Sequence, residues 1–301
     1  GTAVHHGGAL SSLGDQLQSW FSSELSATAA GTATAATAAD AADAAAAGGD
    51  GAVVGGEQVN TPWSTNITTT PAVAAGAAAQ PSSAAGSPGA GGFEYWLYVL
   101  FDAGDTFFDT PAREAEVRDW ITHALVTPLQ AAGVTLRFAL LRFENVLRKP
   151  GPAFNFMMAA ASEDGAEYLY RVNDDTEFLG AGWASQAVSA LQSFDPPNVG
   201  IIGPVCHEGN TAILTHDFVH RTHLQIFEHY YPPIFSDWWM DDWITHVYGP
   251  SRTRRGPFVV RHRIGHQGTR YEVDQTHQNR LQTELQSGKQ RIERWLLKSA
   301  A

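Results

Sequence analysis

Three groups of residues in this chain have the types and spacing for chemistry. The first is Asn173, Asp174 and Asp175 in "YLYRVNDDTEFLGAGW" (168–183), where an apolar run reaches Val172 and then meets two adjacent acids. Two close carboxylates suit a hard divalent cation, Mn2+ or Mg2+, which takes one or two of them and fills its shell with phosphate oxygens and water. Asn-Asp-Asp-Thr is also good turn and helix-cap chemistry. The second group is Asp237, Asp241 and Asp242, set among Trp238, Trp239 and Trp243 in "FSDWWMDDWITHVYG" (235–249). On a helix Asp237 and Asp241 share a face, and Asp242 lies about 100° round. Flanking Trp rings desolvate such acids and raise a carboxyl pKa toward the range of a general base. Acids facing the dipole in a first helical turn, with Trp packed in the core, give the same pattern. The third group is "VVRHRIGHQGTRYEVD" (259–274), where His262 and His266 stand near two Gly and a neutral imidazole can complete a metal shell. His216, His220, His223 and His229 cluster earlier in the chain, without the Cys pair or the HExxH pattern of a zinc site.

The elements that must carry these residues alternate from residue 93 onward. Apolar runs at 93–101, 134–143, 166–172 and 198–206 read as strands, separated by helical patterns at 110–133, 152–165 and 182–194. The helix at 110–133 has Thr110 as its cap, Pro111 at its first position and Gly133 past its end. Strand–helix alternation of this kind predicts an α/β fold with a mostly parallel sheet and helices on both faces. In such sheets ligands bind beyond the carboxyl ends of the strands, where Asn173, Asp174 and Asp175 stand.

Composition divides the chain. Residues 1–92 hold no Lys or Arg, and their Ala, Gly, Ser and Thr offer little to pack, so 28–92 reads as a low-complexity linker or stalk. Before it, 10–25 has the spacing of a short amphipathic helix, and within it Asn66 opens an N-glycosylation acceptor tripeptide, a pattern that also arises by chance. At the other end, 277–301 reads as an amphipathic helix broken by Gly288. The net charge of −12 argues against broad nucleic-acid binding, with one basic run, "SRTRRGPFVVRHR" (251–263), able to meet a phosphorylated ligand. The lone Cys206 forms no intrachain disulfide, and no apolar run is long enough to span a membrane. The chain opens on Gly1 and not on Met, which leaves room for an upstream signal or anchor.

Taken in order, these motifs over 93–276 resemble a nucleotide-sugar-dependent glycosyltransferase of the GT-A fold, in which a Rossmann-like α/β domain holds the donor. "NDDTEF" (173–178) is similar to that family's DxD motif, with Asn173 in place of the first Asp. The resemblance implies a metal, Mn2+ or Mg2+, on Asp175, with Asn173 and Asp174 toward the nucleotide. "MDDW" (240–243) is similar to the later acidic motif, which makes Asp242 the base toward the acceptor hydroxyl and puts Asp241 beside it. "IGHQGTRY" (264–271) resembles the element that gives a His to the metal, which maps to His266, and "YVLFDAGD" (98–105) implies a nucleotide contact at Asp102. The run 209–249 also resembles a motif-dense stretch of algal GT-A enzymes. Arg252, Arg254, Arg255 and Arg263 are the cations available to a diphosphate leaving group. The implied partners are a UDP- or GDP-sugar donor and a glycan or protein hydroxyl acceptor, and the implied setting is the Golgi lumen or secretory pathway. Two other readings use the same residues: a metal-dependent sugar-nucleotide hydrolase, and a noncatalytic protein of the same fold, which the Asn at 173 keeps open.

Overall fold

The computed structural model describes residues 34–39, 92–263 and 273–299. The expected helix at 10–25, Asn66, His266 and all of the expected linker except 34–39 and Gly92 lie outside them. The strands are β1 (Thr34–Ala39), β2 (Glu94–Asp102), β3 (Thr135–Phe143), β4 (Tyr168–Asn173), β5 (Thr176–Phe178), β6 (Ile201–Cys206), β7 (Asp217–His220) and β8 (Thr253–His262). They form one eight-stranded sheet in the order β3-β2-β1-β4-β7-β6-β8-β5. The helices are α1 (Pro111–Ile121), α2 (Thr127–Ala131), α3 (Pro150–Glu163), α4 (Trp183–Gln192), α5 (Thr222–Phe227), α6 (Trp239–Val247) and α7 (Leu281–Ser299). The protein is therefore mixed α/β.

The four strands expected from sequence are β2, β3, β4 and β6. Pairing is parallel for β3 with β2, β2 with β1, β1 with β4, and β6 with β8. It is antiparallel for β4 with β7, β7 with β6, and β8 with β5. The short β5 and β7 were not legible as strands because each is too brief to show a period-2 pattern. β1 corrects the linker reading locally: "TAATAA" lies between β2 and β4, with Ala39 in register with Asn173. A backbone ladder needs no large side chain, so a strand of Ala and Thr carries no hydrophobic signature.

Side-chain alternation divides the core between the two faces of the sheet. Tyr95, Leu97, Tyr168, Tyr170 and Val172 pack with Val117 and Ile121 of α1 and Trp183, Ala187 and Leu191 of α4. Tyr98, Leu100 and Leu169 pack with Phe154 and Met158 of α3, Trp243 and Ile244 of α6, and Leu285 and Ile292 of α7. β4 is buried at all six positions, as a strand covered on both faces must be.

Two helices differ from expectation. Thr110 caps α1 by accepting from the Arg113 amide at 3.3 Å, but the helix does not run unbroken to 131. A π-helical turn, Thr122–Val126, intervenes, and the Thr127 amide reaches Thr122 O. Pro128 follows directly and has no N–H to continue a regular ladder. Conversely, α7 is not broken at Gly288, which is buried against Val247 where α7 meets α6. Among the described residues no helix is long and apolar enough to cross a membrane.

Candidate functional site

Because β7 runs against both β4 and β6, the carboxyl ends of β1–β4, β6 and β8 lie at one end of the sheet. Asn173 ends β4 there, and Asp174 and Asp175 follow it before β5. The antiparallel pairing of Thr176 with His262 brings the end of β8 beside them. His262 Nε2 lies 2.9 Å from Asp175 Oδ1 and 3.2 Å from Asn173 Nδ2. With a proton on Nε2 the ring donates to the carboxylate; with Nε2 bare it accepts from the amide. A second buried imidazole, His216, stands with its ring 5.0 Å from that of His262, its Nε2 2.6 Å from Thr176 Oγ1 and its Nδ1 3.1 Å from Thr215 Oγ1. Burial, then the nearby His262 and Arg171, holds His216 well below the ordinary imidazole range and so neutral.

The other half of the cluster is built around Arg171, which sequence reading passed over as part of an apolar strand. Its side chain is buried, and a buried guanidinium must be paired. Nε donates to Asp217 Oδ1 at 3.1 Å, Nη1 to Asn173 Oδ1 at 3.4 Å, and Nη2 to Asp241 Oδ1. Asp217, fully buried at the start of β7, also accepts from the hydroxyls of Tyr230 at 2.5 Å and Tyr231 at 2.6 Å. One guanidinium thus ties β4, β7 and the first turn of α6 together.

The three acids of 235–249 separate into three roles. Asp237 accepts the Asp274 amide at 2.9 Å and so anchors the segment before α7. Asp241, expected beside Asp242 as a catalytic acid, is the ion-pair partner of Arg171. Asp242 is half-buried, and burial raises its pKa above the usual carboxylate range, with His246 partly opposing. Asp174 is pushed up further, by burial first and by the Asp175 charge second.

The remaining candidates scatter. Asp102 ends β2 at the same end of the sheet, its pKa raised by burial and partly lowered by a bond to Asn145. Arg263 is at this end too, but its guanidinium grips Glu177 Oε2 at 2.8 and 3.1 Å, and its amide donates to Asp175 O at 2.9 Å. Arg255 pairs in register with Gly203, near the amino end of β6, and Arg252 and Arg254 reach Val199 O and Ser193 Oγ. That end lies roughly 15–20 Å from Asp175 at ~3.3 Å per residue, so Arg255 is not part of the cluster. Asn173 is likewise not free for a nucleotide: it is buried, with its Oδ1 accepting from Arg171 and its Nδ2 beside His262. His262 is the imidazole at Asp175. The signal for it was the alternation of β8, where Phe258, Val260 and His262 are buried.

Among the described residues no three His, Cys, Asp or Glu side chains converge as a cage for a metal ion. The adjacent carboxylates of Asp174 and Asp175, with Asp174 pushed up by burial first and by its neighbour's charge second, are the groups that could hold a hard cation. No family model matches this chain, and neither does any curated protein.

Proposed function

We propose that the chain is a metal-dependent glycosyltransferase of Rossmann-like GT-A architecture, moving a sugar from a UDP- or GDP-sugar to a hydroxyl acceptor on a glycan or protein. The observation that carries this reading is the meeting of two acidic segments from distant parts of the chain. Asn173–Asp175 leaves β4 beside β1, where the strand order 3-2-1-4 turns, and the acidic turn of α6 is joined to it through Arg171. A crevice at such a turn, beyond the strands' carboxyl ends, is where parallel α/β sheets hold nucleotides. The strand order and its parallel pairs support a mostly parallel GT-A sheet, with β7 and the edge strand β5 running antiparallel.

In this reading Asp175, with Asp174, would hold Mn2+ or Mg2+, whose part is to offset charge on the departing diphosphate. Asp242 takes the proton of the acceptor hydroxyl as it attacks the anomeric carbon, a role its raised pKa suits if the centre inverts. If the centre is retained, Asp242 orients the acceptor. A luminal setting in the secretory pathway goes with the same proposal.

The test is thermal stabilisation of the full chain by a panel of UDP- and GDP-sugars, with and without Mn2+. A donor present at a hundred times its Kd adds about 2.7 kcal/mol to folded-state stability. Mn2+-dependent stabilisation by one donor, followed by nucleotide release that rises with added acceptor, is the expected result. Release that ignores every acceptor points to the hydrolase, and no stabilisation by any donor sinks the proposal.

A further inference from the structure

We infer that Arg171 is the positioning residue of this site: through Asp241 it fixes the first turn of α6, and so sets where Asp242 stands relative to Asp175. The inference rests on the glycosyl-transfer reading for the role of Asp242, but its geometry stands alone. Arg171 touches three carboxyl or amide oxygens on three elements: Asp217 on β7, Asn173 on β4 and Asp241 on α6. It is itself wedged, with its guanidinium carbon 4.8 Å from the Phe154 ring and 5.8 Å from that of Tyr231.

The frame around it is closed by further bonds. The Tyr231 amide donates to Asn155 Oδ1 at 2.7 Å, and Asn155 Nδ2 donates back to Tyr231 O at 3.1 Å, which ties Tyr231 to α3. On the far side, Thr245 Oγ1 donates to Asp241 O at 2.7 Å and accepts from the Leu214 amide at 2.8 Å, so α6 is laced to the segment before β7. Desolvating such a triad offsets most of its attraction, and an apolar replacement of equal volume is often as stable. What the apolar replacement lacks is direction. A planar guanidinium addresses separate oxygens at fixed angles, which a lysine ammonium does not.

The chemical consequence is specific. Asp242 follows Asp241 in the chain, so a rotation of this turn moves the acid that meets the acceptor while leaving Asp174 and Asp175 in place. Loss of the Asp241 charge should therefore reduce turnover and spare nucleotide binding, whereas loss of Arg171 also releases Asn173 beside the acids.

The experiment uses the full chain with Arg171→Lys, Asp241→Asn and the double variant. Urea unfolding gives a double-mutant cycle, calorimetry with UDP and with GDP plus Mn2+ gives nucleotide affinity, and nucleotide release from the sugar donor gives kcat and KM. The two single effects on the unfolding equilibrium should fail to add by about tenfold, the coupling expected of residues in one ion-pair network. In Asp241→Asn turnover should fall about a hundredfold, as a displacement near 1 Å can cause, with nucleotide affinity and donor KM unchanged. Asp241 is partly exposed, so Asp241→Asn carries the kinetic test if Arg171→Lys does not fold. Additive unfolding effects overturn the inference, as does a parallel loss of affinity and turnover, which is what a purely structural role predicts. Wild-type protein that binds neither nucleotide overturns the transfer reading instead, and the unfolding cycle then decides the Arg171–Asp241 coupling by itself.

Discussion

The imidazole of His262 meets the carboxylate of Asp175 at 2.9 Å, although six elements, β5 through α6, separate the turn that carries Asp175 from the strand that ends at His262. That contact exists because β5 returns along β8 immediately after the acids, with Thr176 in register with His262. The acidic turn and the end of β8 are thereby one structural unit.

Removing the acid of that unit and removing the acid of α6 should have different effects. Asp175→Ala is expected to abolish Mn2+-dependent nucleotide binding. Asp242→Asn is expected to leave binding intact and lower turnover by ~10²–10⁴, the usual contribution of a general base. Calorimetry and initial rates on both variants check this, and equal loss of binding in the two contradicts the assigned roles.

Acid should weaken the fold through His223. Burial pushes this group down to about 4 from an ordinary 6.5. Its Nε2 lies 2.8 Å from Tyr230 O and its Nδ1 2.9 Å from the Tyr248 hydroxyl, so the ring donates to the carbonyl and accepts from the phenol as a neutral imidazole. As pH falls below 6.5 the unfolded chain takes the proton first, so stability is complete above 6.5 and is lost toward pH 4, by on the order of 3 kcal/mol. His220, also near 4, acts in the same direction. Urea unfolding from pH 7 to 4.5 should show the loss, and His223→Gln should flatten it; an unchanged pH slope in that variant counts against the assignment.

Gly288→Ala should destabilise the protein even though Ala is the better helix former by about 1 kcal/mol. A Cβ at 288 would press into Val247 Cγ2, with Phe227 and Trp243 each 3.5 Å away. Overpacking of this kind costs about 1–3 kcal/mol and outweighs the propensity gain. A lower melting temperature that Val247→Ala restores is the expected pattern.

Tyr230→Phe and Tyr231→Phe each remove a hydroxyl that donates to the buried Asp217. Each should cost about 1–3 kcal/mol of folding stability, because the carboxylate is left short of a partner it cannot replace with water. Denaturant titration of the two variants measures it, and a loss below the experimental error in both would mean that Arg171 alone satisfies Asp217.

Much of this molecule was open to reading before any coordinates. Apolar runs bounded by turn residues marked β2, β3, β4 and β6, most plainly β4, whose two covered faces require it to be apolar, and Thr110 with Pro111 marked the start of α1 because a cap and a pre-set φ are local requirements. The acids at 173–175 and 237–242 stood out for the same local reason, charge interrupting an apolar pattern. Which of those groups meet was a matter of register and crossing, decided by tertiary structure alone. Strand register took Arg255 to the opposite end of the sheet and brought His262 to Asp175. Packing turned Arg171 from one more strand residue into the link between Asn173 and Asp241, and it seated Gly288 where composition implied a break. Pairing between distant segments depends on how strands lie side by side, and neither residue of a pair carries that information within its own stretch of chain.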